Sequence, residues 1–202
     1  MADVRTPIEK MPALERLEPI HTKGLQRVFA ALRVYVGFEF LWAFLDKTFG
    51  LGYGTESAGA WIHGGSPASG VMFALTGPFT SFYETITGGH HVTGFSPQGA
   101  PLGFVPVNDW VNWVYMGAML LIGVGLLLGV MTRLASMGAI VWMTIFYTAT
   151  FFATPRYNPI VDEHVLAVIV LVGLILANAG RYLGLGRIWQ RFDFVKDRVW
   201  LY

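Results

Sequence analysis

Residues 155–170, PRYNPIVDEHVLAVIV, change character partway along. The earlier part carries Arg156, Asp162, Glu163 and His164, and Val165 to Val170 are wholly apolar. An apolar run that starts directly on ionisable groups reads as a lipid-embedded helix with charge at its margin. Charge is costly beside hydrocarbon, so the cluster is either an interfacial cap or a working site.

Composition supports the membrane reading. Of 202 residues, 54% are hydrophobic and 13% charged, with a mean hydropathy of +0.51. That is too apolar for an ordinary soluble domain and implies an all-α integral membrane protein, a single membrane domain over residues 1–202. The net charge of +1 gives no basic field for nucleic acid. The absence of cysteine excludes disulfides, cysteine-ligated metals, iron–sulfur centres and thiol relays. Residues 1–10, MADVRTPIEK, lack an apolar core before a small-residue cleavage site, so no removable signal peptide is expected and the first apolar helix is the anchor.

Working outward from the opening stretch, residues 163–180 form a fourth span and residues 134–154 a third, ended by Pro155. Residues 109–131 form the second, with Trp110 and Trp113 at aromatic-belt positions and Gly117, Gly123, Gly125 and Gly129 offering small surfaces for helix contact. A tight turn at Thr132-Arg133 joins the second span to the third. The first span, residues 25–47, is interrupted by Arg33 and Glu39 and closed by Asp46-Lys47. Glu39 and Asp46 fall on nearly one face, about 10 Å apart, with Arg33 and Lys47 on another stripe. Such residues turn toward neighbouring helices or a water-filled cleft.

Between the first two spans lies a long loop, residues 48–108, without a lysine or arginine. Its apolar run at 70–87 is too short to cross and is broken at Gly77-Pro78, which suggests a re-entrant or interfacial segment. His90-His91 and residues 94–99 follow as a turn-rich lid. Residues 1–23 place Ile8, Met11, Leu14 and Leu17 at spacing three, as a helix on the membrane face or as a disordered tail. Residues 184–202 are basic and aromatic and fit an anionic leaflet.

Cation placement sets the orientation. Arg5, Lys10, Arg16, Lys23 and Arg27 precede or open the first span, Arg133 follows the second, and the C-terminal stretch carries most of the rest. Both termini of the expected antiparallel four-helix bundle are therefore cytoplasmic, and the long loop and the 155–164 cluster face outward. The localisation that follows is a multi-pass protein of a bacterial cytoplasmic membrane.

If the first and fourth spans pack, Asp46, Lys47, Asp162, Glu163 and His164 share one depth beneath the loop, with His164 pointing elsewhere than Glu163. A histidine beside carboxylates at a membrane interface can shuttle protons or hydrogen-bond a quinone carbonyl. His164, Asp162, Asp46 and Lys47 are the candidate catalytic residues, and His164, Asn158, Trp42 and Tyr157 the candidate quinone contacts. In the structural alternative, Asp162-Glu163 complement the helix N-terminus, Asn158 serves a turn and Lys47 pairs with a carboxylate. The aromatic residues Trp42, Phe44, Trp142, Phe146, Tyr147, Phe151 and Phe152 could flank a quinone or simply pack. His63, His90, His91 and His164 lack the spacing of haem or metal ligands, so no haem, iron–sulfur centre or metal is expected.

Several strings resemble the DoxX/DoxD-like small four-helix membrane proteins. They are Arg33…Gly37…Lys47, the 129–133 string GVMTR, and Asn158-Pro159-x-x-Asp162-x-His164. The 42–53 run WAFLDKTFGLGY and the turn at 64–67, GGSP, look like a long-loop subgroup. The resemblance implies a membrane subunit of a quinone-linked oxidoreductase, of the thiosulfate:quinone oxidoreductase type, anchoring a partner on the outer face. The other function class is a non-catalytic accessory subunit of a larger respiratory or photosynthetic complex. In either case the expected partners are membrane lipids and other membrane-complex subunits. A third reading, a small-solute carrier built on Arg33 and Glu39, lacks the internal inverted repeat such carriers show.

Overall fold

The computed structural model describes residues 22–69, 78–89, 107–150 and 162–202. Nearly all of the 1–23 segment, the His90-His91 lid, residues 70–77 of the apolar run, and Tyr157 and Asn158 lie outside the described residues.

Among the described residues the only regular elements are helices and short 3-10 turns: α1 (Lys23–Phe49), α2 (Thr80–Thr87), α3 (Asp109–Leu128), α4 (Thr132–Thr150), α5 (Glu163–Leu176), α6 (Gly186–Trp189) and α7 (Asp193–Lys196). Helices α1 and α3 are long and apolar enough to cross a membrane. α1 packs along α3, α3 against α4 and α4 against α5, and α5 closes back onto α1. Phe40, Met116, Met119, Leu126, Leu171 and Leu174 meet in the core. The outer faces carry exposed Tyr35, Leu121, Val141 and Ile169, a larger apolar exterior than a water-facing bundle would carry.

Small residues let α1 and α3 approach closely. A Cβ on Gly37 would sit 2.7 Å from the Leu127 backbone nitrogen, and one on Gly123 would sit 2.7 Å from that of Leu41. Gly117, which the sequence offered for the same purpose, faces open space instead. The turn after α3 lies at Gly129 to Met131, both with positive φ, so Thr132 and Arg133 open α4 rather than form the turn. The Val130 N–H donates to the Gly125 carbonyl at 3.0 Å, closing the helix in a Schellman-type bond.

The largest departure from expectation is the end of the last long helix. A span over 163–180 was expected, but α5 stops at Leu176, Asn178 takes a left-handed conformation, and Ala179–Arg181 is a 3-10 turn. Fourteen helical residues rise only about 21 Å, short of the roughly 30 Å hydrocarbon thickness. The cause is Arg33 on α1, which is fully buried. Its Nη1 donates to the Ala179 and Gly180 carbonyls at 3.3 and 3.5 Å, and its Nη2 donates to the Leu183 carbonyl. Unwinding frees these acceptors, and the guanidinium satisfies them where water cannot. Gly129 and Gly184 flank the guanidinium, and a methyl group on either would collide with it.

The segment after this turn folds back under α4. The Leu185 N–H donates to the Leu128 carbonyl at 2.8 Å, the Arg133 N–H donates to the Tyr202 carbonyl at 2.7 Å, and Trp189 Nε1 donates to the Leu201 carbonyl at 2.7 Å.

Replacing Arg33 by Met keeps much of the volume and removes every donor. A hydrogen bond to a charged group contributes about 1.5–3 kcal/mol, so R33M is expected to lose about 3 kcal/mol or more in detergent unfolding, with R33K between it and the parent. An R33M unfolding transition matching the parent would contradict the clasp.

Candidate functional site

Asp162 is the N-cap of α5, with an extended backbone and a side chain that accepts from the His164 backbone N–H at 2.8 Å. The same oxygen, Oδ1, lies 2.7 Å from His164 Nδ1. One carboxylate oxygen thus starts the helix and fixes a ring. A carboxylate at Nδ1 favours the tautomer protonated there and leaves Nε2 as the open nitrogen. Nε2 has no hydrogen-bond partner among the described residues. The imidazole also stands edge-on to Phe146 of α4, centroids 6.1 Å apart.

His164 borders a cavity of about 230 Å³ that draws on α1, α3, α4 and α5. Glu39 of α1 and Glu163 of α5 border it with His164, while Phe40, Met119, Met143 and Phe146 supply apolar wall. Neither glutamate has a hydrogen-bond or ion-pair partner among the described residues. The buried Tyr115 also lines the cavity and stands edge-on to Trp142, centroids 5.5 Å apart. Glu163 and His164 were expected to point apart, yet both border this cavity. At the first turn of a helix, neighbours about 100° apart can flank an opening that lies over the helix end.

The other predicted site residues are placed elsewhere. Asp46 is buried and accepts from the backbone N–H groups of Tyr53 and Gly54, at 3.2 and 2.9 Å, so its carboxylate ties down the start of the long loop. Lys47, half-buried, makes no ion pair among the described residues. Neither lines the cavity with His164. Trp42 packs between Phe38 and Tyr53, with ring centroids at 5.7 and 5.2 Å. Seven residues separate Glu39 from Asp46, so the two share a helix face but serve different levels of it.

The loop is held down at further points. Asn112 of α3 is buried and accepts from the Ala68 N–H at 3.0 Å, while its amide donates to Ser66 Oγ at 3.1 Å. The Tyr83 hydroxyl pairs with Thr148 Oγ1 at 2.6 Å, joining α2 to α4. His63 pairs through Nδ1 with the Ser57 carbonyl at 2.7 Å, inside its own turn. Among the described residues no group of three histidine, aspartate or glutamate side chains is placed to hold a metal ion.

Glu39 and Glu163 were not among the predicted site residues. The signal for Glu39 was present, since a carboxylate well inside an apolar helix is a functional hypothesis by default. Its partners on α5 were not legible, because they depend on the depth at which α5 begins.

The double role of Asp162 has a measurable consequence. Asparagine caps a helix about as well as aspartate, so D162N is expected to keep the parent's thermal midpoint. It should shift the ¹⁵N resonances of His164 away from the Nδ1–H tautomer seen in the parent. A parent spectrum dominated by the Nε2–H tautomer would contradict the geometry.

No protein-family model matches the chain, and neither a curated protein nor a solved structure is similar to it.

Proposed function

We propose that the chain is a four-span membrane protein with both termini cytoplasmic, its fourth crossing made by α5 together with the Arg33-held turn at Ala179–Arg181, and that the cleft at the head of α5 receives a quinone headgroup. In this reading it is a DoxX-like membrane subunit of a quinone-linked oxidoreductase, anchoring a partner at the outer face. The four-span topology draws support from the apolar outer faces of the packed helices and from a loop free of lysine and arginine.

The observation that carries the quinone reading is the cleft's composition: an imidazole nitrogen and two carboxylates that have no hydrogen-bond partner among the described residues, facing apolar walls. Its roughly 230 Å³ is below the ~300–1,000 Å³ of sites that enclose a drug-sized ligand. That suits a ring whose tail runs out into lipid. A bound quinone supplies two-electron, two-proton chemistry, with electrons from the partner. The chain's own residues then have defined tasks. With Asp162 holding its Nδ1–H and stabilising the imidazolium, His164 would donate from Nε2–H to a quinone carbonyl, first a hydrogen bond and then the proton that electron arrival requires. Glu39 and Glu163 hold protons at the cleft, and Phe40 and Phe146 keep water from the ring. Asp46 and Lys47 support the loop above rather than touch the headgroup. The accessory-subunit alternative would pair the polar cluster within the protein, and among the described residues Glu39 and Glu163 make no hydrogen bond or ion pair.

Losing one hydrogen bond in a dry site costs about 1.5 kcal/mol, or about tenfold in affinity. H164A is therefore expected to bind a short-tailed quinone at least about tenfold more weakly in an equilibrium titration while still inserting in the membrane. Equal affinity in H164A and parent would sink the quinone site.

A further inference from the structure

At the other end of the bundle, below the Arg33 clasp, four cations surround a second cavity. Lys23 and Arg27 come from the first turns of α1, and Arg181 and Arg187 from the segment after α5. The cavity measures about 390 Å³, and among the described residues no acidic side chain lines it. All four side chains are exposed, and none forms an ion pair among the described residues. Arg187 Nε donates to the Arg181 carbonyl at 3.0 Å, which fixes the two arginines relative to each other.

This arrangement runs against ordinary helix electrostatics. A helix N-terminus carries partial positive charge and favours acidic side chains, yet the first turn of α1 has none and Thr22 provides no side-chain cap. Lys23 and Arg27 are four residues apart, a spacing at which like charges repel. Both features cost stability unless an anion occupies the cavity. Leu183 and Gly184 line it, and the Leu183 carbonyl is the acceptor held by Arg33 Nη2, so the clasp fixes this side of the cavity.

We propose that this cavity binds the phosphates of an anionic phospholipid headgroup in the cytoplasmic leaflet. The shared chemistry is that of a phosphate ester. The lipid is the source because α1 begins its apolar course directly above the cavity, at the level where headgroups lie. Four positive charges exceed what a single phosphodiester neutralises and match a headgroup with two phosphates, as in cardiolipin; basic pockets between membrane helices on this side are suited to such lipids. The inference rests on the proposed topology and not on the quinone reading.

The test is lipid retention by the purified full chain in neutral detergent, measured by native mass spectrometry with cardiolipin, phosphatidylglycerol and phosphatidylcholine in separate titrations. Cardiolipin should bind tightest and phosphatidylcholine weakest. The K23Q/R27Q/R181Q variant, whose three replaced side chains are exposed, should weaken cardiolipin binding by about a hundredfold, whereas R191Q/R198Q should leave it unchanged. In lipid-free detergent R191Q/R198Q should keep the parent's unfolding midpoint, and the triple variant, relieved of like-charge repulsion, should unfold no lower than the parent. Equal retention of the three lipids, or unchanged binding in the triple variant, would overturn the proposal. So would displacement of cardiolipin by millimolar inorganic phosphate, which would assign the site to a soluble anion. A chain that stays in aqueous solution without detergent would fail the topology, whereas a membrane-inserted chain without lipid preference would fail the headgroup site alone.

Discussion

Arg33 sits about 15 Å along α1, wholly buried, with its guanidinium aimed at backbone carbonyls rather than at a carboxylate. A cation there and an unwound chain beneath α5 would each be costly alone. Together each satisfies the other, and the pairing sets the lengths of the elements around it. It ends α5 at Leu176, brings the 181–187 segment beside the start of α1, and leaves room only for glycine at positions 129 and 184. The carrier reading of Arg33 gives way to this structural role, since the side chain is already engaged.

The clasp also explains how the two ends of the bundle differ. Because α5 is short and anchored low, its N-terminus meets α1 near Glu39 rather than Asp46. The ionisable groups of α5 therefore open onto a cleft between helices, beneath the loop. Asp162 makes this economical in residues: one oxygen starts the helix and orients His164. Capping and function were competing readings of the 155–164 cluster, and the geometry shows that they are compatible. A cap that also fixes an imidazole tautomer is what a proton-handling histidine requires.

Much of this was legible in the sequence. Periodicity and apolar run length located α1 and α3 to within a few residues, 25–47 against Lys23–Phe49 and 109–131 against Asp109–Leu128. Lysine and arginine placement divided the molecule into a cation-poor end, with Lys47 and Arg156 beside a loop that has neither residue type, and a basic end. What was not legible depended on contacts distant in sequence. Nothing local in residues 163–180 predicts that the helix unwinds, because the donor that stabilises the unwound carbonyls is Arg33, nearly the whole chain away. Asp46 looked like a partner for His164 because both lie near helix ends. Its actual partners, the N–H groups of Tyr53 and Gly54, belong to a turn whose path periodicity does not report. Asn112 gave no signal at all, since a lone asparagine in an apolar helix does not say which turn it will hold.

In the proposed orientation the cleft faces outward and the clasp and basic cavity face the cytoplasm. The chain has no cysteine, so single substitutions report sidedness without background. S57C, in the loop above the cleft, should react with a membrane-impermeant maleimide in intact cells, and D197C, in the basic C-terminal segment, only after lysis. Labelling of D197C in intact cells, with S57C protected until lysis, would contradict the proposed orientation.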